Sequence, residues 1–218
     1  MKKIIYFIEF LFIICKAIGY KSASNLGFFI GKNFGNFFRK KKSIIENLHK
    51  SKIVIKISDN QFANNVLGNY GRILAEYPFL KDFRKNKLEQ FIQIDGTENL
   101  NKIKNNNKPV VFISGHFNNF ELMAMHIEKY GINLAAIYRP LNNIFLNKTM
   151  EQIRTKYICK NQIRKGRSGT RQILENLKKG NSIALMIDQR VTEGIKIDFF
   201  GNLASTTCLL YTSDAADE

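Results

Sequence analysis

The chain has 218 residues, 44% of them hydrophobic and 24% charged, which is ordinary for a folded protein and long enough for one α/β domain with an appendage. Its 34 Lys and Arg against 18 Asp and Glu give a net charge of +16, which favours anionic partners: nucleic acid, anionic lipid, phosphorylated substrates or an acidic carrier protein. The cysteines Cys15, Cys159 and Cys208 form no CxxC pair, which argues against a disulfide framework or a zinc site, and neither a metal nor a cofactor is predicted.

The first 19 residues, MKKIIYFIEFLFIICKAIG, begin with a Met and two lysines and continue as an apolar run. A signal peptide is one interpretation, but Glu9 interrupts the run and no A-x-A cleavage site follows. The segment Ile4–Cys15 is shorter than the roughly 20 apolar residues of a membrane-spanning helix. The run is therefore too short to predict a simple transmembrane helix.

A second apolar stretch, NLGFFIGKNFGNFF (Asn25–Phe38), ends in the basic cluster Arg39–Lys42. Phenylalanines next to cations are typical of a segment that lies in the headgroup region, with its cations on anionic lipid. We therefore predict a membrane-associated arm at residues 1–42, inserted or interfacial, on the cytoplasmic face. The alternative is that these helices simply pack on the core.

Residues 43–100 carry apolar side chains at three- and four-residue spacing and predict helices. After the polar segment Asn101–Pro109, strand and helix patterns alternate. The predicted strands are Val110–Ser114, Asn133–Tyr138, Ser182–Ile187 and Ile195–Phe200, and the predicted helices are Phe120–Lys129, Ile144–Tyr157 and Thr170–Lys178. Strands separated by helices of about 10 to 15 residues favour an α/β fold with a mostly parallel sheet flanked by helices.

The last residues differ in composition from the rest of the chain. Cys208–Glu218, CLLYTSDAADE, contains no Lys, Asn or Ile and resembles a translated sequencing adapter, so we predict that it is a non-native tail. The natural chain would then continue beyond Thr207, and the domain would be truncated at its carboxyl end. The predicted division is an arm at 1–42, an α/β domain at 43–207 and a tail at 208–218.

His116 follows the first predicted strand, and Glu121 lies five residues later. Sites in open α/β sheets gather at the carboxyl ends of the strands. On one helix the two side chains would diverge by about 140°, so they can meet only if His116 lies in the preceding loop and Asn118 or Asn119 caps the helix. Glu121 would then orient the imidazole and leave its other nitrogen as a base. In the alternative, Asn118-x-x-Glu121 is a capping box and His116 is structural.

Four blocks resemble, in order and spacing, the lipid A late acyltransferases, the lauroyl/myristoyl-transferase family of bacterial lipopolysaccharide assembly. They are GHFNNFELMA, AIYRPLNNIFLNKTMEQIR (Ala136–Arg154), IRKGRSGTRQILENLKKGNSIALMIDQ (Ile163–Gln189) and IDFFGNLASTT (Ile197–Thr207). The resemblance implies a glycerolipid-acyltransferase-like fold. It also implies transfer of a fatty acyl chain from acyl-acyl carrier protein to a hydroxyl of a lipid A precursor, at the cytoplasmic face of the bacterial inner membrane.

The resemblance also implies the catalytic roles. His116 would take the proton of the acceptor hydroxyl, and Glu121 would orient the imidazole and stabilise the imidazolium. The hydroxyl oxygen would attack the thioester directly, without an acyl-enzyme. No serine or cysteine lies in a nucleophile-elbow pattern, which agrees with direct transfer.

Further residues are candidates for substrate binding. Arg154 and Asp188 lie at positions that the resemblance implies to be functional, and Arg139, in the Tyr-Arg-Pro step, suits an anionic group. RKGRSGTRQ (Arg164–Gln172) gathers cations and glycines at a helix start, which suits a phosphate and adds Arg164. The structural alternatives are a salt bridge for Arg154, a helix or turn cap for Asp188 and a plain basic turn around Arg164.

The chain departs from the family pattern at Asn118-Asn119-Phe120, where Gly-Asn-Trp or similar is usual, so the aromatic residue is kept and the glycine is not. Two other classes stay open. A glycerol-phosphate acyltransferase usually carries Asp at the position of Glu121, which argues against that class. A non-catalytic basic module binding nucleic acid or lipid fits the charge, but no zinc-finger, RNP or helix-turn-helix signature is present, so nucleic acid is not a predicted partner.

Overall fold

The structure, a computed structural model, describes residues 2–141, 143–188 and 194–206. The predicted tail at 208–218 lies outside the described residues. The helices are α1 (Lys2–Ile18), α2 (Tyr20–Phe34), α3 (Lys41–Ser51), α4 (Asp59–Glu76), α5 (Leu80–Arg84), α6 (Thr97–Asn106), α7 (Glu121–Lys129), α8 (Ile144–Ile153) and α9 (Arg167–Lys178). The strands are β1 (Val111–Ser114), β2 (Leu134–Tyr138), β3 (Asn161–Arg164), β4 (Ser182–Met186), β5 (Ile195–Phe199) and β6 (Asn202–Thr206).

The described residues divide into two compact units. The first contains residues 2–79 and 194–206, that is, helices α1 to α4 and the antiparallel hairpin β5–β6. Its apolar core lies between α3 and α4, where Ile44 packs with Ala63 and Leu67. The second unit contains residues 80–141 and 143–188 and carries the parallel sheet.

Helices α2 and α4 of the first unit approach each other closely because glycines face each other across the contact. A Cβ atom built on Gly71 would lie 2.1 Å from the carbonyl oxygen of Gly27, and one built on Gly27 would lie 2.5 Å from that of Gly71. Both distances are far below van der Waals contact, so neither position accepts a side chain without moving a helix. Next to the glycines, the hydroxyl of Ser24 donates to the buried carboxylate of Glu76 at 2.7 Å.

Replacing Gly71 with alanine is therefore expected to destabilise the first unit by about 1–3 kcal/mol, the usual cost of overpacking a filled interface. Thermal unfolding measures the change. The matched control is Asn69→Ala, an exposed position of the same helix, where alanine is the better helix former and stability should not fall. Equal melting temperatures for Gly71→Ala and Asn69→Ala would show that the helices tolerate separation at this point.

The second unit confirms the predicted α/β architecture: a four-stranded sheet, in the order β1-β4-β2-β3, whose neighbouring strands all run parallel, with helices flanking it. The central strand β4, Ser-Ile-Ala-Leu-Met, is buried along almost its whole length, as expected for a strand of a parallel sheet covered on both faces. Ala135, Ile163 and Ile183 form the core of the sheet, and Ile173 and Leu177 of α9 pack against it.

The four strands predicted from the sequence are confirmed to within one residue at each end. The structure adds β3 and β6, which the apolar pattern missed because each carries few buried apolar side chains. The strand predicted at Ile195–Phe200 pairs with β6 in a separate hairpin and does not join the parallel sheet. The helix predicted at Ile144–Tyr157 is α-helical only to Ile153 and continues as a π-helical turn, Arg154–Ile158.

None of the helices that the structure describes combines the length and the apolar character needed to cross a membrane.

Candidate active site

The strand register brings His116 and Asp188 together. Ser114 at the end of β1 is the partner of Met186 at the end of the neighbouring parallel strand β4. His116 and Asp188 each follow two residues later, so they leave the same edge of the sheet side by side. The backbone N–H of Ile187 donates to the carbonyl of Ser114 at 3.0 Å and continues the ladder past the strand ends.

The Asp188 carboxylate holds His116 at two points. Its Oδ2 accepts the backbone N–H of His116 at 2.7 Å, and its Oδ1 lies 2.7 Å from the imidazole Nδ1. An ionised carboxylate only accepts hydrogen bonds, so Nδ1 carries the proton and Nε2 is the ring nitrogen with the lone pair. The Phe120 ring packs edge-on against the imidazole at a centroid distance of 4.5 Å. Together these contacts fix both the tautomer and the orientation of a partly exposed histidine.

The pKa of Asp188 reflects this pairing. Partial burial opposes ionisation, but the hydrogen bonds from the His116 backbone and ring and the attraction of its charged form together lower the pKa of Asp188 below the ordinary value. A carboxylate whose pKa is lower in the folded state binds fewer protons there than in the unfolded chain. The stabilisation is therefore complete at neutral pH and is lost as the pH falls through the lowered pKa.

Asp188→Asn is accordingly expected to lower the melting temperature at pH 7. The difference from the wild type should stay constant down to about pH 5 and shrink in stronger acid, where the wild-type carboxyl is also protonated. Thermal unfolding between about pH 3 and pH 7 measures it. In a His116→Ala background the Asp188→Asn effect should be smaller, because the ring partner is gone. A difference that grows on acidification would contradict the pairing.

Glu121 forms a buried ion pair with Arg154. Both Nε and Nη2 of Arg154 donate to Oε1 of Glu121, at 2.9 and 2.6 Å, and the side chains are only 15% and 6% exposed for Arg154 and Glu121. Glu121 is the first residue of α7, where the helix dipole favours a carboxylate. Arg154 opens the π-helical turn after α8, in which the Cys159 N–H bonds to the Arg154 carbonyl at 3.0 Å. Such turns are frequent at functional sites.

The predicted contact between His116 and Glu121 stays a prediction. His116 does lie in the loop before the helix, and Glu121 is buried in the first turn, as the spacing argument requires. The helix start differs from the expectation: Phe120, and not Asn118 or Asn119, occupies the N-cap position and provides no side-chain cap. With Glu121 at the first helical position, the pattern Asn118-x-x-Glu121 is also out of register for a capping box.

The remaining substrate-binding candidates lie at the same edge of the sheet. Arg139 follows β2, and Arg164 is the register partner of Tyr138, the last residue of β2. The backbone N–H of Lys165 donates to the carbonyl of Tyr138, the residue before Arg139, at 2.9 Å, and burial, followed by the charge of Arg139, lowers the pKa of Lys165. The described residues thus bring candidates from all four strands to the carboxyl edge, where the sequence predicted a site.

Glu151 is a polar centre that the sequence patterns did not reveal. Its Oε1 accepts the hydroxyl of Tyr138, the amide Nδ2 of Asn147 at 2.8 Å and Nη2 of Arg164 at 3.3 Å. Asn147 Oδ1 in turn accepts the Leu141 N–H at 2.8 Å, in the loop that carries Arg139. Glu151 thereby fixes α8, β3 and this loop relative to one another. A glutamate in the middle of a helix gives no sequence signal of such a role.

Within the ranges that the structure describes, no three His, Cys, Asp or Glu side chains lie together in a way that could hold a metal ion. A family profile described as bacterial lipid A biosynthesis acyltransferase matches residues 2–212 of the chain. No curated protein sequence shows significant similarity to it.

Proposed function

Because the chain belongs to the bacterial lipid A biosynthesis acyltransferases, and is therefore an acyltransferase that acts on a lipid A precursor, we propose that its acyl donor is an acyl-acyl carrier protein and that it works at the cytoplasmic face of the inner membrane. The geometry that best supports the acyl-transfer chemistry is the His116–Asp188 pair, which holds a general base at the carboxyl edge of the sheet. The net charge of +16 suits an acidic carrier protein.

In the proposed mechanism Nε2 of His116 takes the proton from a hydroxyl of the lipid A precursor. The hydroxyl oxygen attacks the thioester carbonyl carbon and forms a tetrahedral intermediate. The intermediate then collapses, the C–S bond breaks, and the departing thiolate takes the proton from Nε2 of the imidazolium. The negative charge of Asp188 stabilises the imidazolium between these steps. Its hydrogen bond with Nδ1 prevents the ring from rotating, and its hydrogen bond with the backbone N–H holds the loop that carries His116.

Direct transfer, without an acyl-enzyme, agrees with the protonation of the two cysteine thiols that the structure describes. Burial is the main cause that raises the pKa of Cys159 to about 11, and burial also raises the pKa of Cys15. Both thiols are thus protonated at neutral pH and poor nucleophiles. Cys208 lies outside the described residues.

Glu121 and Arg154 form the second part of the proposed site. We assign the pair to the support of the loop after β1, since it ties the start of α7 to the turn after α8. Through this loop Glu121 acts on His116, so in this proposal the two residues function as one unit. Arg139 and Arg164 bind the anionic groups of the substrate, a role that suits guanidinium groups, and Arg164 lies just before the start of α9 at Arg167.

The amino-terminal arm is proposed to bind the membrane. Phe37 and Phe38 are almost fully exposed, and Phe29 and Phe34 on α2 are more than half exposed. Apolar side chains so close to the cations Arg39–Lys42 are suited to the boundary between headgroups and acyl chains of anionic lipid.

This proposal is tested by replacing Phe37 and Phe38 with serine. Deletion of residues 1–42 would also remove α2 from its contact with α4, so the point changes are the cleaner test. We expect pelleting with phosphatidylglycerol vesicles to fall by about tenfold or more, because each buried Phe contributes about 1.5–3 kcal/mol. The control is Leu74→Ser, which removes another exposed apolar side chain of the same unit. Wild-type pelleting of the Phe37/Phe38 variant would contradict the proposal.

The catalytic proposal is tested by transfer of a labelled acyl chain. The purified chain is incubated with acyl-acyl carrier protein and a hydroxyacylated lipid A precursor, and the product is followed by chromatography. Replacing the carrier-bound donor by acyl-coenzyme A tests the donor, and replacing the acceptor by glycerol 3-phosphate tests the other acyltransferase class. Transfer to glycerol 3-phosphate alone would refute the lipid A assignment of the acceptor.

A further inference from the structure

The hairpin tip, residues 198–203, contains the end of β5, the turn and the start of β6, and it exposes three large apolar side chains. Phe199 and Phe200 pack edge to face at a centroid distance of 4.7 Å. Phe199 is 61% exposed, Phe200 is about half exposed, and Leu203 across the turn is 73% exposed. This cluster belongs to neither the candidate active site nor the amino-terminal arm.

The turn conformation makes Phe200 an unfavourable residue for stability. Phe199 pairs with Asn202, so Phe200 and Gly201 form a two-residue turn, and both have positive φ angles of 55° and 70°. That geometry favours Asn-Gly and is costly for an aromatic residue. The Phe200 ring is also exposed, so neither burial nor the backbone explains its presence. An exposed side chain held in a strained conformation points to a contact outside the chain.

The charges around the hairpin tip are mostly positive. A Cβ atom built on Gly201 would lie 3.3 Å from Nζ of Lys52, and Nδ2 of Asn202 donates to the carbonyl of Lys50 at 2.9 Å. Three exposed lysines carry this positive charge: Lys196 on the hairpin itself, and Lys50 and Lys52 at the end of α3. The acidic residue of the tip, Asp198, accepts the Gly201 N–H at 2.8 Å and so serves the turn itself.

From this arrangement we propose that the hairpin tip inserts Phe199, Phe200 and Leu203 into an anionic lipid membrane, with the lysines at the headgroups. Apolar side chains that project from a small turn can enter the boundary between headgroups and acyl chains, and lysines near the turn are attracted to anionic headgroups. A folded acidic protein would offer its charge but no deep apolar layer for three projecting side chains, so we favour lipid. The inference concerns membrane contact only and does not depend on acyl transfer.

The chain contains no tryptophan, so Phe200→Trp introduces a single fluorescent reporter at the hairpin tip. With phosphatidylglycerol/phosphatidylcholine vesicles its emission should shift to the blue and be quenched by lipids brominated on the acyl chains. The matched control is Phe91→Trp, because Phe91 is 46% exposed and Phe200 49% exposed. The emission of the control should not respond to brominated lipid.

A second variant separates membrane contact from folding. Phe200→Asn suits the turn better than phenylalanine, so the melting temperature should stay the same or rise. Partitioning onto the same vesicles should nevertheless fall by at least about tenfold. The proposal would be overturned if the chain did not bind vesicles. It would also be overturned if the Phe200→Trp variant bound vesicles but its emission did not change. A blue shift produced by acidic carrier protein in place of vesicles would also overturn it.

Discussion

Replacing His116 with alanine is expected to lower turnover by about two to four orders of magnitude, the usual contribution of a positioned general base. The structure strengthens this expectation, because the Asp188 carboxylate binds both the backbone N–H and the imidazole Nδ1 of His116. The assay is acyl transfer from acyl-acyl carrier protein to a hydroxyacylated lipid A precursor. A wild-type rate for His116→Ala would remove the general-base role and leave His116 as a structural residue of the loop.

Glu121→Ala is expected to cause a similar loss of turnover, measured per molecule of folded protein. The double variant His116→Ala/Glu121→Ala should lose little more than the slower single variant, because residues that act as one unit are not additive. Fully additive losses would show that Glu121 acts independently of His116. Its contribution would then come through Arg154, with which it shares hydrogen bonds.

The largest effect on stability is expected at the Glu121–Arg154 pair. Arg154→Met removes the cation that pairs with the buried Glu121 carboxylate in the structure, and the free energy of unfolding should fall by about 3–5 kcal/mol. Replacing both residues with methionine should recover much of that loss, since no uncompensated charge remains. Chemical denaturation of the single and double variants measures the free energy of unfolding, and the pairwise coupling follows from the cycle.

The chain offers a matched control for this experiment. Arg171 and Glu175 on α9 form an ion pair of similar length, 2.9 Å, but the Arg171 side chain is 85% exposed. Arg171→Met should therefore change stability by less than about 1 kcal/mol. Equal effects at Arg154 and Arg171 would mean that burial does not strengthen the first pair.

Much of the second unit was readable from local patterns. The apolar run that became β4 predicted a buried strand, because consecutive apolar residues are stable only where both faces of a strand are covered, and β4 is buried. The run that became β1 predicted the same, but β1 lies at the edge of the described sheet and its Ile113 is 53% exposed. The alternation of strands and helices then predicted a parallel sheet, and a parallel sheet places its strand ends at one edge. For this reason the sequence could also place His116 and Asp188, which follow predicted strands, at that edge. Arg164 was predicted only as part of a basic helix start, because the strand β3 that it ends was not predicted.

The family was also readable from the sequence, because four blocks in a fixed order are far more specific than a histidine and a glutamate five residues apart. The family match over residues 2–212 confirms that assignment. The predicted donor, cellular location and site roles remain proposals with the tests given above.

The partners of the predicted site residues were decided by tertiary structure. His116 and Asp188 are 72 residues apart and meet only because β4 lies next to β1, with Ser114 opposite Met186. Local periodicity does not encode strand order, since every parallel order satisfies the same alternation of strands and helices. Likewise, the π-helical turn at Arg154–Ile158 breaks the helical period just where Arg154 reaches Glu121. The sequence by itself determined the family, four of the six described strands and the sheet edge at which the proposed site lies. Only the packing of distant segments decided which acid holds His116 and which cation neutralises Glu121.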